Sequence, residues 1–327
     1  MRARPLRVRP LTVFTATAAA TLVVVAGCEA LVQAKVYSVP VYSAPTYVEA
    51  DLASSPPPPQ LAQLLVRAIT PPEAPEAAER PSTAFRGLQA RVQEATEAAA
   101  GGGATLSIAI LDRTTHQLVS NGNTAIVGTA SVAKLFIADD LLLQESQGRT
   151  ILSPDDHQAL DTMLEASDDG AAEKFWGQDG GDAIITQIAN RYGMTATMPP
   201  SDGRWWNTLS SATDLIRYYD MLLNGSGGLP PERARIIVND LARSTPNGAD
   251  GYPQRFGIPD GLYAEPVAVK QGWMCCIGAD WMHLSTGVIG ADRRYIMVIQ
   301  SLQPSDDATA RQTITQAVKT IFPNGRI

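Results

Sequence analysis

The run PVAVKQGWMCCIGADWMHLSTGVIGADRRYIMVIQSL, residues 266–302, decides the architecture. Pro266 to Met274, Asp280 to Val288 and Tyr295 to Leu302 are rich in apolar and β-branched residues and read as three strands. A last helix follows around Asp306 to Phe322. Working outward to the other end, Ser82 to Ala100 puts Phe85, Leu88, Val92 and Ala95 on one helical stripe, closed by Gly101-Gly102-Gly103. Leu106 to Leu111 then reads as a strand that Gln117 to Ser120 can pair with across a turn at 112–116. From about 131 to 245 the pattern is largely helical. Strands at both ends with helices between them give an α+β fold. The expectation is an antiparallel sheet built from both chain ends, flanked by helices, with a helical subdomain. No internal repeat is present.

Composition narrows the partners. Of 327 residues, 45% are hydrophobic and 18% charged, which argues against a disordered chain and a multi-span membrane protein. The formal net charge of -7 gives no basic footprint for nucleic acid. Residues 1–10 are cationic through Arg2, Arg4, Arg7 and Arg9, and residues 11–27 are apolar or small, as in a secretory leader. No acid lies before residue 28, so losing those four arginines takes the net charge from -7 to -11. Val25-Ala26-Gly27-Cys28 resembles the bacterial lipobox, which implies a lipid on Cys28, cleavage before it and an extracytoplasmic domain anchored to the cell membrane. Each buried methylene of such a lipid contributes about 0.8 kcal/mol, so several chains hold a protein stably. Residues 28–81 carry clustered prolines, Pro56 to Pro59 among them, and read as an extended tether. The folded domain is expected over 82–327.

Lysine is scarce: five residues, at 35, 134, 174, 270 and 319, against 21 arginines. Of the two, only lysine loses its proton at workable pH when buried. Ser131-Val132-Ala133-Lys134 opens the apolar run SVAKLFIADDLLL. The i, i+3 spacing puts hydroxyl and amine on one helix face, where a desolvated amine can take the serine proton and free backbone N–H groups can support an oxyanion. Ser167-Asp168-Asp169 and Lys270-Gln271-Gly272-Trp273 complete the candidate set.

In this order the three segments resemble the active-site motifs of the penicillin-recognising serine enzymes, the class A β-lactamases and D,D-peptidases: Ser-x-x-Lys, Ser-Asp-Asn and Lys-Thr/Ser-Gly. Ala171-Ala172 after the second motif and the polar stretch Asn207 to Ala212 extend the likeness over about residues 82–322. The resemblance implies a β-lactamase/D,D-peptidase-like fold and a cofactor-free, metal-free acyl enzyme acting on peptidoglycan or another envelope amide or ester. Ser131 would be the nucleophile and Lys134 its base. Ser167 would relay a proton, and Lys270 would set its electrostatics and help hold a substrate carboxylate. Gly272 would leave room for the substrate backbone. The N–H groups of Ser131 and Met274 would serve the oxyanion.

Departures from that pattern bear on activity. Asp169 stands where the family has asparagine, and a carboxylate there favours protonated Lys134. Gln271 replaces the hydroxyl residue expected to contact the substrate carboxylate. The second motif follows Ser131 by only 36 residues, which implies a trimmed helical subdomain. The stretch RYGMTATMPPSDGRWW, where class A enzymes carry the glutamate for deacylation, holds only Asp202 as an acid. An efficient β-lactamase is therefore not expected, and a non-catalytic binder of cell-wall material or an envelope protein is the alternative. Cys275 and Cys276 are either a vicinal disulfide or two reduced cysteines. His116, His157 and His283 lie far apart in the chain. Trp205, Trp206, Trp273 and Trp281 are candidates to wall a groove, Trp273 above all because it follows the third motif.

Overall fold

The computed structural model describes residues 85–327; the expected leader, Cys28 and the tether lie outside the described residues. Helix α1 (Leu88–Gly101) leads into β1 (Thr105–Asp112) and β2 (Gln117–Ser120). After the two-residue β3 (Val127–Gly128) come α2 (Lys134–Ser146), α3 (Pro154–Glu165), α4 (Asp169–Gln178) and α5 (Asp182–Tyr192). Next are β4 (Leu209–Ser210), α6 (Ala212–Asn224), α7 (Pro231–Ala242) and the single turn α8 (Ile258–Gly261). The chain ends with β5 (Val267–Ile277), β6 (Asp280–Ile289), β7 (Tyr295–Gln303) and α9 (Asp307–Ile321).

The five long strands form one antiparallel sheet in the order β2-β1-β7-β6-β5. β1 pairs with β7, Ile108 opposite Ile299, so the sheet joins the two ends of the chain as the sequence pattern requires. Alternation along each strand serves two cores. Leu106, Ile108 and Ile110 of β1, with Met297 and Ile299 of β7, pack under the terminal helices, against Leu88 and Val92 of α1 and Ile314 and Val318 of α9. Ala109, Leu111, Ile296, Val298 and Leu284 face the other way, into the helical subdomain. Burying both faces explains why these strands read as nearly continuous apolar runs.

The helical subdomain is organised around α2. Every residue from Lys134 to Leu143 is buried, three ionisable side chains included, which matches the lack of a polar face in SVAKLFIADDLLL. Its neighbours carry clear start signals. Ser153 and Asp156 form a reciprocal cap on α3, with Pro154 at its first position. Asp168 caps α4 by accepting from the Ala171 N–H at 2.9 Å. Ser211 caps α6 within the polar stretch 207–212. The first helix, expected from Ser82, starts only at Leu88, and β5 runs on to Ile277 because the chain stays paired with β6 beyond Met274.

Candidate active site

Ser131 lies in a 3-10 turn (Ala130–Ala133), and the α-helix proper begins only at Lys134. The sequence predicts serine and lysine on one α-helical face. The tighter turn does more, because side chains at i and i+3 eclipse in a 3-10 helix. Lys134 Nζ lies 2.8 Å from Ser131 Oγ. Ala130, directly before the nucleophile candidate, sits at φ 44°, and Ser167 at φ 58°. Left-handed backbone at non-glycine residues costs about 1 kcal/mol or more each. Two of the four such residues in the described part of the chain belong to this site.

The left-handed turn at Ser167 aims both its carbonyl and its hydroxyl inward. Lys134 Nζ is 2.7 Å from Ser167 O, 3.0 Å from Ser167 Oγ and 2.6 Å from Asp169 Oδ1. Lys270 Nζ reaches the same Ser167 Oγ at 2.8 Å. The serine hydroxyl thus bridges two buried lysines. Lys134 has four oxygen neighbours, and when the amine is neutral, with two hydrogens, its lone pair can accept from either of the two that carry hydrogen, Ser131 Oγ and Ser167 Oγ. Burial pushes Lys134 below the ordinary amine range, while Asp169, Asp168 and Asp250 pull it back up. Burial prevails over the carboxylate that the sequence suggests would keep this lysine charged. Lys270 is driven well below its usual value, first by burial and then by the neighbouring Lys134 charge.

Above these groups opens a cleft of about 240 Å³, lined by Ala130, Ser131, Asp169, Trp205, Trp206, Asp250, Trp273 and Met274. The loop that carries Trp205 is tied to the Ser131 segment: Thr129 N and Oγ1 both donate to Thr208 O, at 2.8 and 3.0 Å, and β3 pairs with β4. The Trp205 ring centroid is 4.7 Å from Lys134 Nζ, so this residue, a stronger candidate for core packing on sequence alone, touches the site. Trp273 stacks on Tyr252 at 4.3 Å and 7°. Tyr252 is fixed in turn through its hydroxyl, which bonds Asp307 and lies 2.7 Å from His283 Nε2.

Other expected residues fall elsewhere. Gln271 is fully buried on the opposite face of β5, where its amide nitrogen donates to the Gln254 and Phe256 carbonyls at 3.1 and 2.6 Å. It does not line the cleft, because alternation along a strand that places Lys270 inward must turn Gln271 away. A Cβ on Gly272 would come within 2.5 Å of Thr129 O, so the space beside this glycine is filled by residues 129–132 themselves. Cys275 and Cys276 are joined as a disulfide at the exposed end of β5, beyond Met274, where the pairing with β6 shifts register. Asp202 is occupied by the Arg204 N–H and Asn207 Nδ2 and is not among the cleft residues. His283 is buried opposite Trp273 on β6, and burial lowers its pKa to about 4. It supports Tyr252 rather than Ser131. Asp250 is the lining residue that sequence reading missed; it sits in a loop with no motif around it.

An antiparallel sheet of this order, with the Ser131–Lys134 turn packed against β5 and helices on both faces, makes an α+β domain with a β-lactamase-like fold. Solved structures agree. A β-lactamase from Chitinophaga pinensis superposes with a TM-score of 0.58 at 13% identity, covering 72% of this chain and 98% of that one. PBP-A superposes with a TM-score of 0.59 at 18% identity, covering 75% and 97%. At such identities the likeness concerns the fold. No protein-family model matches the chain. The chain is 69% identical over 326 residues to the proteins named "Putative lipoprotein LppW" in Mycobacterium bovis and Mycobacterium tuberculosis, covering 98% of this chain and the whole of each relative. It belongs to the LppW family.

Proposed function

We propose that this protein is a lipid-anchored, extracytoplasmic serine acyl enzyme acting on an amide or ester of the cell envelope. The observation that carries the reading is the continuous chain Ser131 Oγ, Lys134 Nζ, Ser167 Oγ, Lys270 Nζ, with every link between 2.8 and 3.0 Å. In its neutral form Lys134 takes the proton from Ser131 as the serine oxygen bonds to the substrate carbonyl carbon. Ser167 then passes a proton to the leaving amine or alkoxide, and the carbonyl-to-leaving-group bond breaks. Lys270 supports the Ser167 hydroxyl from below. A variant of PBP-A has been captured as an acyl-enzyme complex with penicillin G on the same fold. Hydrolysis of the acyl enzyme is slow on this reading, since no glutamate stands in the 191–206 stretch. Lipid on Cys28 supplies the anchor; among the described residues no helix is long and apolar enough to cross a membrane.

One observation favours the rival reading, a binding protein that has lost catalysis: the 2.6 Å ion pair between Asp169 and Lys134 stabilises the protonated amine. Intact-mass measurement on residues 82–327 with a panel of β-lactams and a fluorophosphonate separates the two. A Ser131-dependent adduct, absent in Ser131→Ala, is the expected result. No adduct with any reagent, in protein shown to be folded, would sink the enzyme reading and leave the binding one.

A further inference from the structure

We infer that the cleft selects an acyl donor bearing an organic cation, an ammonium group next to the ester or amide that Ser131 attacks, and disfavours carboxylates. The inference rests on reading Ser131 as the nucleophile and adds the substrate class. Of the eight residues that line the cleft, three are tryptophans, the two ionisable ones besides the serine hydroxyl are Asp169 and Asp250, and none is basic. The lysines lie beneath the floor, 0% and 1% exposed. Lys134 is matched by Asp169, and Lys270 is turned to Ser167 and the Gln271 carbonyl. The Lys-Thr/Ser-Gly resemblance led to the expectation of a carboxylate held with the help of Lys270, with Gln271 in the place of the family's hydroxyl. Neither holder is there: Gln271 points to the far face and Lys270 is buried.

Asp250 is the surplus charge. It is exposed, its Oδ1 accepts from the Tyr252 N–H at 2.9 Å, and among the described residues it makes no ion pair. It stands beside Trp273, whose ring is held flat on Tyr252. A carboxylate that shares a cleft with three indoles is an arrangement that attracts a desolvated ammonium, through Coulomb attraction and through the ring quadrupole. Trp206 already takes a cation in this way, the Arg204 guanidinium lying 5.7 Å from its centroid.

The test uses matched 4-nitrophenyl esters: 4-(trimethylammonio)butanoyl, its uncharged carbon isostere 5,5-dimethylhexanoyl, anionic glutaryl, and Nα-acetyl-lysyl against Nα-acetyl-norleucyl as a primary-amine pair. In each case Ser131 Oγ forms the new ester bond, nitrophenolate leaves with the bonding electrons, and the serine proton passes through Lys134 to solvent. Ser131-linked mass gain is followed with time. One or both cationic esters should outpace the neutral partner by about tenfold, with glutaryl slowest. That ratio should fall severalfold in Asp250→Asn and with rising salt. Which cationic ester leads tells a quaternary head from a primary amine. Equal rates for cation and isostere, a glutaryl ester that matches them, or a ratio unmoved by Asp250→Asn overturns the inference while leaving the serine enzyme standing. Binding is read separately in Ser131→Ala by tryptophan fluorescence with unreactive 4-(trimethylammonio)butanamide and 5,5-dimethylhexanamide. Cation-specific saturation that Asp250→Asn abolishes, without acylation in the parent, keeps the cation site and overturns the enzyme reading. No acylation and no cation-specific saturation overturns both.

Discussion

Helix α2 buries charge at two places and treats them oppositely. At Asp139 the carboxylate is enclosed: Arg191 and the Tyr192 hydroxyl bond its two oxygens, and the Tyr218 hydroxyl lies 3.4 Å away. Burial raises the Asp139 pKa, and Arg191 and Tyr192 oppose that rise. At the start of the same helix Lys134 shares one neutral hydroxyl with Lys270 of β5, and the carboxylate that offsets them, Asp169, is itself 69% exposed. The first cluster is closed and oriented by partners on α5 and α6. The second opens on a cleft, and burial lowers the pKa of both its amines. Completed buried pairs hold structure, whereas incompletely matched buried amines are what proton transfer needs.

The largest effect that could break this contrast is at Asp139. Asp139→Ala removes the anion and strands Arg191, so stability should fall by about 3–5 kcal/mol. Urea unfolding followed by circular dichroism measures it. A loss below about 1 kcal/mol would show that this cluster is no more structural than a surface pair.

Next comes Lys270→Met, which removes a buried amine from the open cluster. The sign follows from linkage. A lysine whose folded pKa is depressed weakens the fold at every pH below its unfolded value, and the penalty disappears as pH rises past it. The substitution should therefore raise stability by about 1–2 kcal/mol at pH 7 and lose that advantage toward pH 10, while Ser131 acylation collapses. Thermal melts at the two pH values decide the matter. A variant less stable at pH 7 would place Lys270 with Asp139 as a structural charge.

Much of this arrangement is legible in the sequence. Strands stood out because both sheet faces are covered, and the i, i+3 pair Ser131 and Lys134 stood out because lysine is rare in this chain. Gln271 was misplaced although the needed signal was present: period-two alternation from Lys270 already turns it away from the cleft. His283 looked remote from the motifs because cross-strand register, which sets it opposite Trp273, is not visible in a linear reading. Asp250 could not be found locally at all. Its loop is brought to the cleft by the stack of Tyr252 on Trp273 and by the anchoring of the Tyr252 hydroxyl, contacts among residues 21 to 55 positions apart in the chain. The 3-10 turn under Ser131 was hidden as well, since propensity does not separate it from the first turn of an α-helix.

The smallest effect sharpens the comparison most, because it acts on the carboxylate of the open cluster, the counterpart of Asp139 in the closed one. Asp169 contacts Lys134 through an exposed side chain, so solvent screens much of its attraction. Removing the charge in Asp169→Asn withdraws a contribution that favours the ammonium, and the Lys134 pKa must then fall further. A larger fraction of the amine is neutral at any pH below its midpoint, so the rising limb of the acylation profile moves to lower pH. At pH 7 the rate should climb by roughly threefold to tenfold. Stability should change by less than about 1 kcal/mol, in contrast to Asp139. Adduct formation timed from pH 5 to pH 9 reads the shift. A profile displaced to higher pH, or a rate that falls in step with stability, would mean that Asp169 holds the site together as Asp139 holds the helical subdomain, and the distinction between closed and open buried charge would fail where it matters for chemistry.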